Sequence, residues 1–216
     1  MTELADAAAL IADRTRARIL EELLGGPPLS AGALAVRVGV APSTVSGHLS
    51  KLADAGLIEV HARGRRREAS LAGPEVAEAL EALSRLSPGT SRPIGLRAVN
   101  GRAALREARS CYDHLAGRAG VALADALIAR GALALNDGAF VVSDAAYFRD
   151  ACGIDVDALH GRRPLVRACV DWTERRPHVA GALGAALLDV MLQRGWVRRR
   201  PDGRALNVSA GFPWAG

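Results

Sequence analysis

The stretch Ser30–Leu71, SAGALAVRVGVAPSTVSGHLSKLADAGLIEVHARGRRREASL, leaves this chain little choice of local fold. Ser30 is a good N-cap for a short helix whose apolar face is Leu34, Ala35 and Val38. Gly39 breaks that helix into a tight turn, and Pro42 opens the next one at a position where its missing N–H is harmless. Val45, Leu49 and Leu52 recur at i, i+4 and i+7, so one stripe of the second helix is buried. The other side shows Ser43, Thr44, Ser46, Gly47, His48 and Lys51, with no acidic residue before Asp54. Gly56 closes the helix, and Leu57–Val60 and Glu68–Leu71 are predicted to pair around the tip Arg63-Gly64-Arg65-Arg66-Arg67. This is a helix-turn-helix followed by a wing, an arrangement that lays one exposed helix in the major groove of double-stranded DNA. Short polar side chains suit base edges, and Arg63, Arg65, Arg66 and Arg67 suit phosphates.

From about Leu10 to Leu86 the chain resembles the DNA-binding domain of ArsR-type winged-helix repressors. The matching residues are Asp13-Arg14-Thr15-Arg16 before Ile19-Leu20, then Ser43-Thr44-Val45-Ser46 with His48-Leu49, then Ala55-Gly56-Leu57-Ile58. The resemblance implies a homodimeric transcriptional repressor. Its interface would use the first helix, Leu4–Ile11, and the helix after the wing, whose Val76, Leu80, Leu83 and Ser87 share a face. Two features of metal-sensing members do not carry over. The stretch Leu34-Ala35-Val36-Arg37 holds no cysteine pair, and Pro74–Leu86 holds no histidine.

Bulk properties narrow the class further. No apolar run approaches the ~20 residues that span a bilayer, and no signal-like leader precedes Ala7, so a soluble cytoplasmic protein is expected. Three cysteines argue against a disulfide scaffold. The net charge of +5 is unevenly placed, with residues 1–88 at −1 and residues 89–216 at +6. Positive charge in the first part is concentrated in the wing and at Lys51, so the motif is better evidence for DNA than the overall basicity.

A boundary is expected at Ser87–Pro93, dividing a winged-helix domain (1–88) from a C-terminal domain (94–216) through a linker at 89–93. The fold class is mostly α with small β-hairpin wings. In the C-terminal part, Leu123–Ala146 and Leu187–Gly211 echo Leu49–Gly73. Each is a helix with an apolar residue four before a glycine (Gly56, Gly131, Gly195), then two short strands. Two degenerate winged-helix-like units are therefore predicted. Asn136-Asp137-Gly138 and Pro201-Asp202-Gly203 are strong hairpin turns. The second wing carries no positive charge, whereas the third, with Arg198, Arg199, Arg200 and Arg204, has enough to touch DNA.

Two clusters carry chemistry. Cys111-Tyr112-Asp113-His114 falls in a predicted helical stretch, Arg102–Arg118, which sets Cys111 and His114 on one face. Cys169 to His178 reads as a second helix ended or redirected by Pro177. Thiolate, imidazole and carboxylate together suit zinc or another thiophilic metal. Four uses stay open at this level: a metal sensor built on Cys111, His114, Cys169 and His178; a redox switch between Cys111 and Cys169; a structural role, with Asp171 paired to Arg175 or Arg176; and an organic effector pocket lined by Tyr112, Trp172 and Trp196. Cys152, in a predicted loop, has no partner motif. No glycine-rich phosphate loop, GxSxG elbow or HExxH occurs, so an enzyme is not expected. The expected function is a repressor released by a signal sensed in the C-terminal domain. The alternatives are an architectural or activating DNA-binding protein, or a metal or thiol-redox sensor.

Overall fold

The computed structural model describes residues 3–25, 27–64, 66–86, 96–159, 161, 163–201 and 203–213; for residue 3 and residues 96–100 it describes the backbone alone. The chain divides into two compact units, Met1–Leu86 and Ser87–Gly216. The segment expected as a linker lies outside the described residues.

The N-terminal unit runs α1 (Glu3–Ala12), α2 (Arg14–Leu23), β1 (Leu29–Ser30), α3 (Ala31–Val38), α4 (Pro42–Asp54), β2 (Ile58–Arg63), β3 (Arg66–Leu71) and α5 (Pro74–Leu86). Local chemistry sets the boundaries. The Asp13 carboxylate accepts from the Arg16 backbone N–H at 2.9 Å and caps α2, while the Arg16 guanidinium donates back to the Leu10 and Ala9 carbonyls at the end of α1. Ser30 Oγ accepts from the Ala33 N–H at 3.2 Å, and Gly39 ends α3 in the left-handed region. Leu34, Val38, Val45, Leu49 and Leu52 are buried with Ile19 and Leu20 beneath them.

The wing is longer than the sequence indicated. β2 and β3 pair antiparallel out to Arg63↔Arg66, so Arg63, Arg66 and Arg67 stand on strands rather than in a loop. A third strand not foreseen, β1, pairs its Leu29 with Ala69. On α5 it is Ala77 and Glu81 that are buried; Val76 and Leu80 are half-buried and Leu83 is exposed.

The C-terminal unit contains α6 (Leu96–Glu107), β4 (Arg109–Cys111), β5 (His114–Ala116), α7 (Arg118–Ala129), β6 (Leu133–Asn136) and β7 (Ala139–Val142). A short α8 (Ala145–Tyr147) leads into a π-turn, Phe148–Cys152, and a 3-10 turn, Val156–Ala158. Then come β8 (Arg167–Val170), β9 (Pro177–Ala180), α9 (Gly181–Gln193), β10 (Val197–Arg199) and β11 (Leu206–Val208). All the hairpins are antiparallel. Asp137 and Gly138 both take positive φ, as a two-residue turn between β6 and β7 requires.

The helix–glycine–hairpin repeat is present as read: α7 ends at Gly131 before β6–β7, and α9 at Gly195 before β10–β11. What precedes each helix is a further hairpin, β4–β5 or β8–β9, not a helix pair, so these units share only helix and wing with the N-terminal fold. The duplication therefore begins earlier than Leu123. His114–Gly131 and His178–Gly195 align at an offset of 64, sharing the histidine, Ala116/Ala180, Gly117/Gly181, Gly120/Gly184, Leu123/Leu187 and Asp125/Asp189. One core joins the two repeats, with Leu127, Phe148, Leu183, Leu187, Met191 and Val197 at its centre. Among the described residues no helix is long and apolar enough to cross a membrane.

Candidate functional site

On α4 the apolar stripe Val45, Leu49 and Leu52 is buried, and Ser43, Thr44, Ser46, Gly47 and Lys51 are exposed beside one another. Two members of the polar face behave differently from the simple expectation. His48 is half-buried with Nδ1 turned inward, so only part of its ring lies on the face. Ser46 Oγ donates to the Pro42 carbonyl at 2.9 Å, which leaves its lone pairs for a base edge. On the wing, Arg63, Arg66 and Arg67 are exposed, with Arg63 3.5 Å from Glu68; Arg65 lies outside the described residues. In the third wing Arg198 and Arg199 are exposed, but Arg204 is buried and its carbonyl accepts from the Ser110 N–H at 2.9 Å, so Arg204 is a structural residue.

The C-terminal clusters sit on hairpins, correcting the two helices expected from the sequence. α6 stops at Glu107, and Cys111 and His114 face each other across the two-residue turn Tyr112-Asp113. Cys169 and His178 face each other in the same way across β8–β9. The helical reading failed because Ala- and Arg-rich α6 has no stop signal, and Cys-Tyr-Asp-His lacks the glycine or asparagine that announces a tight turn. Tyr112 supplies the positive φ, 60°, that the turn needs.

Each hairpin then enters its helix through a glycine of positive φ, Gly117 (79°) or Gly181 (86°), where an added Cβ would also strike backbone carbonyls at 2.7 Å. Three residues on, Gly120 and Gly184 allow the crossing of the repeats. The Cβ of His178 lies 3.5 Å from where a Gly120 side chain would begin, and that of His114 3.2 Å from the equivalent point at Gly184. The two imidazoles stack, with ring centroids 5.1 Å apart. Cys111 Sγ and Cys169 Sγ are 4.0 Å apart, and the four ligand atoms of Cys111, His114, Cys169 and His178 all lie within 4.8 Å of one another. Cys111, His114 and His178 are buried and Cys169 is half-buried.

A carboxylate stands behind each imidazole, and an arginine behind each carboxylate. His114 Nδ1 is 3.3 Å from Asp113, which Arg163 grips with two nitrogens. His178 Nδ1 is 3.6 Å from Asp171 Oδ2, which also accepts from Arg109 at 2.9 Å and from the Gly117 N–H at 2.7 Å. The other Asp171 oxygen takes the Thr173 N–H and hydroxyl and the Glu174 N–H. Burial alone would raise Asp171, but Arg109, Thr173 and Gly117 outweigh it and hold the acid well below the usual carboxylate range. The partner of Asp171 is thus Arg109, 62 positions away, and not Arg175 or Arg176; Arg176 pairs with Asp125. Hydrogen bonding from Cys111, reinforced by His114 and His178 against the cost of burial, pulls the Cys169 thiol far below its ordinary value. Burial opposes charge on His114, yet Asp113 and the Cys169 sulfur raise it.

The aromatic residues expected to line a pocket each meet an arginine: Tyr112 with Arg163, Trp172 with Arg109 and Trp196 with Arg194. Cys152 closes the π-turn inside the core and is not in a loop; burial pushes its thiol up.

A two-helix reading unit with a basic three-stranded wing defines a DNA-binding regulator. A helix-turn-helix domain model matches residues 11–61. The HTH-type transcriptional regulator YdfF of Bacillus subtilis (strain 168) is 39% identical over 208 residues, covering 95% of this chain and 92% of that protein. CmtR of Mycobacterium tuberculosis (strain ATCC 25618 / H37Rv), also an HTH-type transcriptional regulator, is 40% identical over 96 residues, 43% of this chain and 80% of CmtR. Among solved structures, the homodimeric winged helix-turn-helix domain Mb0332 of Mycobacterium bovis is 26% identical, covers 41% of this chain and 82% of that one, and has a TM-score of 0.38. The chain belongs to the HTH-type transcriptional regulators.

Proposed function

We propose that the protein is a homodimeric repressor that binds a near-palindromic operator through α4 and the β2–β3 wing, and is released by a signal read in the C-terminal unit. The carrying observation is the division of α4, with Val45, Leu49 and Leu52 buried and Ser43, Thr44, Ser46, Gly47 and Lys51 presented together, with no acidic residue on the helix before Asp54. Dimerisation is supported by apolar surface left on the first and last helices of the unit. Leu4 is 80% exposed on α1, and Leu83 and Leu86 are 47% and 80% exposed on α5. A two-fold axis through these helices sets two copies of α4 one DNA turn apart, ~34 Å.

The test is light scattering at micromolar concentration together with footprinting. The chain should be a dimer protecting two half-sites, and Leu4→Asp with Leu83→Asp should give a monomer that protects one half-site weakly. A monomeric wild-type chain protecting a single half-site overturns the dimer; a chain that protects no sequence selectively overturns the operator reading.

A further inference from the structure

We propose that Cys111, His114, Cys169 and His178 form a closed four-ligand site for one thiophilic divalent cation of the zinc class. Around a tetrahedral ion with metal–sulfur bonds of ~2.3 Å, the two sulfurs stand ~3.8 Å apart. Here they are 4.0 Å apart, and every other pair of ligand atoms is within 4.8 Å. The four ligand atoms therefore cluster about one point, and the widest pairs have to draw in to reach the ~3.5 Å that a tetrahedral ion sets between sulfur and nitrogen.

The donor set selects the ion. Two sulfurs and two imidazole nitrogens in this arrangement favour zinc or cadmium over magnesium and calcium, which take oxygen. Two thiolates cancel the charge of a divalent ion, which matters where three of the four ligands are buried. A monovalent ion would leave net negative charge in the core.

The hydrogen bonding points the same way. His114 Nδ1 is held by Asp113, which leaves its buried Nε2 without a hydrogen-bond partner and free for an ion; in His178 both buried nitrogens lack a hydrogen-bond partner, Nδ1 standing 3.6 Å from Asp171 Oδ2. Carboxylates behind metal-bound imidazoles fix the tautomer and raise ligand basicity. Asp113 and Asp171 occupy that position, each anchored by an arginine. Four protein ligands leave no position for substrate, so such a site holds structure or senses an ion and does not catalyse. One Cys–His pair comes from each repeat, so the ion would join two hairpins that only tertiary packing otherwise holds together.

The site lies wholly within the C-terminal unit, so its loading is read without DNA. The reduced, chelator-stripped full-length chain is titrated with cobalt(II). The expected result is saturation at one ion per chain, with the ligand-field absorption of four-coordinate cobalt, a thiolate charge-transfer band, and displacement by zinc. Zinc should also slow alkylation of Cys111 and Cys169. Cys152→Ser should keep the full signal, Cys169→Ser should lose it, and Asp113→Asn should weaken zinc binding ~10–100-fold. A folded wild-type chain that takes up no cobalt overturns the site, whatever the variants do. So does a cobalt spectrum unchanged in Cys169→Ser, or a Cys111–Cys169 disulfide that excludes the ion under reducing conditions. If Cys169→Ser fails to fold, zinc protection of the wild-type thiols decides.

Discussion

His114 and His178 stack at 5.1 Å while each rests on the helix of the other repeat, His114 against Gly184 of α9 and His178 against Gly120 of α7. This exchange is what brings residues from two hairpins into one cluster. Neither glycine has room for a side chain: a Cβ at Gly120 or Gly184 would stand 2.5 Å from the carbonyl oxygen of Leu115 or Val179 in its own repeat, and 3.5 or 3.2 Å from the Cβ of the other repeat's histidine.

Gly120→Ala and Gly184→Ala should each destabilise the C-terminal unit by ~1–3 kcal/mol, as overpacking does in a dense core. The strain falls on backbone carbonyls, which cannot rotate aside. Denaturant melts of the two variants, followed through Trp172 and Trp196 fluorescence, measure it. An unchanged midpoint at both positions would refute the close packing at these glycines.

The Arg109–Asp171 pair is fully buried at 2.9 Å. Arg109→Met removes one partner and leaves the carboxylate uncompensated, so a loss of ~3–5 kcal/mol is expected. Removing the carboxylate charge as well, in Arg109→Met/Asp171→Asn, should recover part of that loss. A double variant whose loss equals the sum of the single changes would show that Arg109 and Asp171 are not coupled.

The wing and the helix should separate in their salt response. Arg66→Ala with Arg67→Ala should weaken binding to all DNA sequences and flatten the log–log salt dependence by roughly one for each phosphate no longer neutralised. Thr44→Ala should leave the slope and relax sequence preference, a good base contact being worth ~1–3 kcal/mol. His48→Ala should have a smaller effect on preference, because its Nδ1 is buried. Binding isotherms across a salt series on operator and random DNA distinguish these outcomes.

Acid should loosen the N-terminal unit partly through Asp13. The hydrogen bond from the Arg16 backbone N–H holds its pKa below that of the free acid. Its contribution is therefore complete above the ordinary carboxylate value, ~pH 4, and disappears as the pH falls through the lower folded value. Asp13→Asn keeps the capping oxygen and removes the titration, so it should flatten the acid limb of a melting profile. An identical acid limb in the variant would remove Asp13 from the account.

The N-terminal unit was legible from residue order because its signals are local. Ser30, Gly39, Pro42 and Gly56 each act within a turn of their own position, and Val45, Leu49 and Leu52 define a buried stripe by spacing alone. The same locality made the α7 and α9 wings readable, through Asp137-Gly138 and the glycines that end the helices. In the C-terminal unit the residue types Cys, His and Asp were visible as chemistry, but not the backbone that carries them. Their hairpins have no turn residue strong enough to outweigh the helical composition beside them. A meeting of Cys111, His114, Cys169 and His178 was one of four open readings of the sequence, and only tertiary structure decided for it; the Arg109 partner of Asp171 had no signal in the sequence at all. Cys111 reaches Cys169 across 58 positions, and Arg109 reaches Asp171 across 62. Both contacts follow from helices of one repeat packing on hairpins of the other, where Gly120 and Gly184 admit a histidine. That packing is a property of two surfaces fitting together, and no spacing along the chain encodes it.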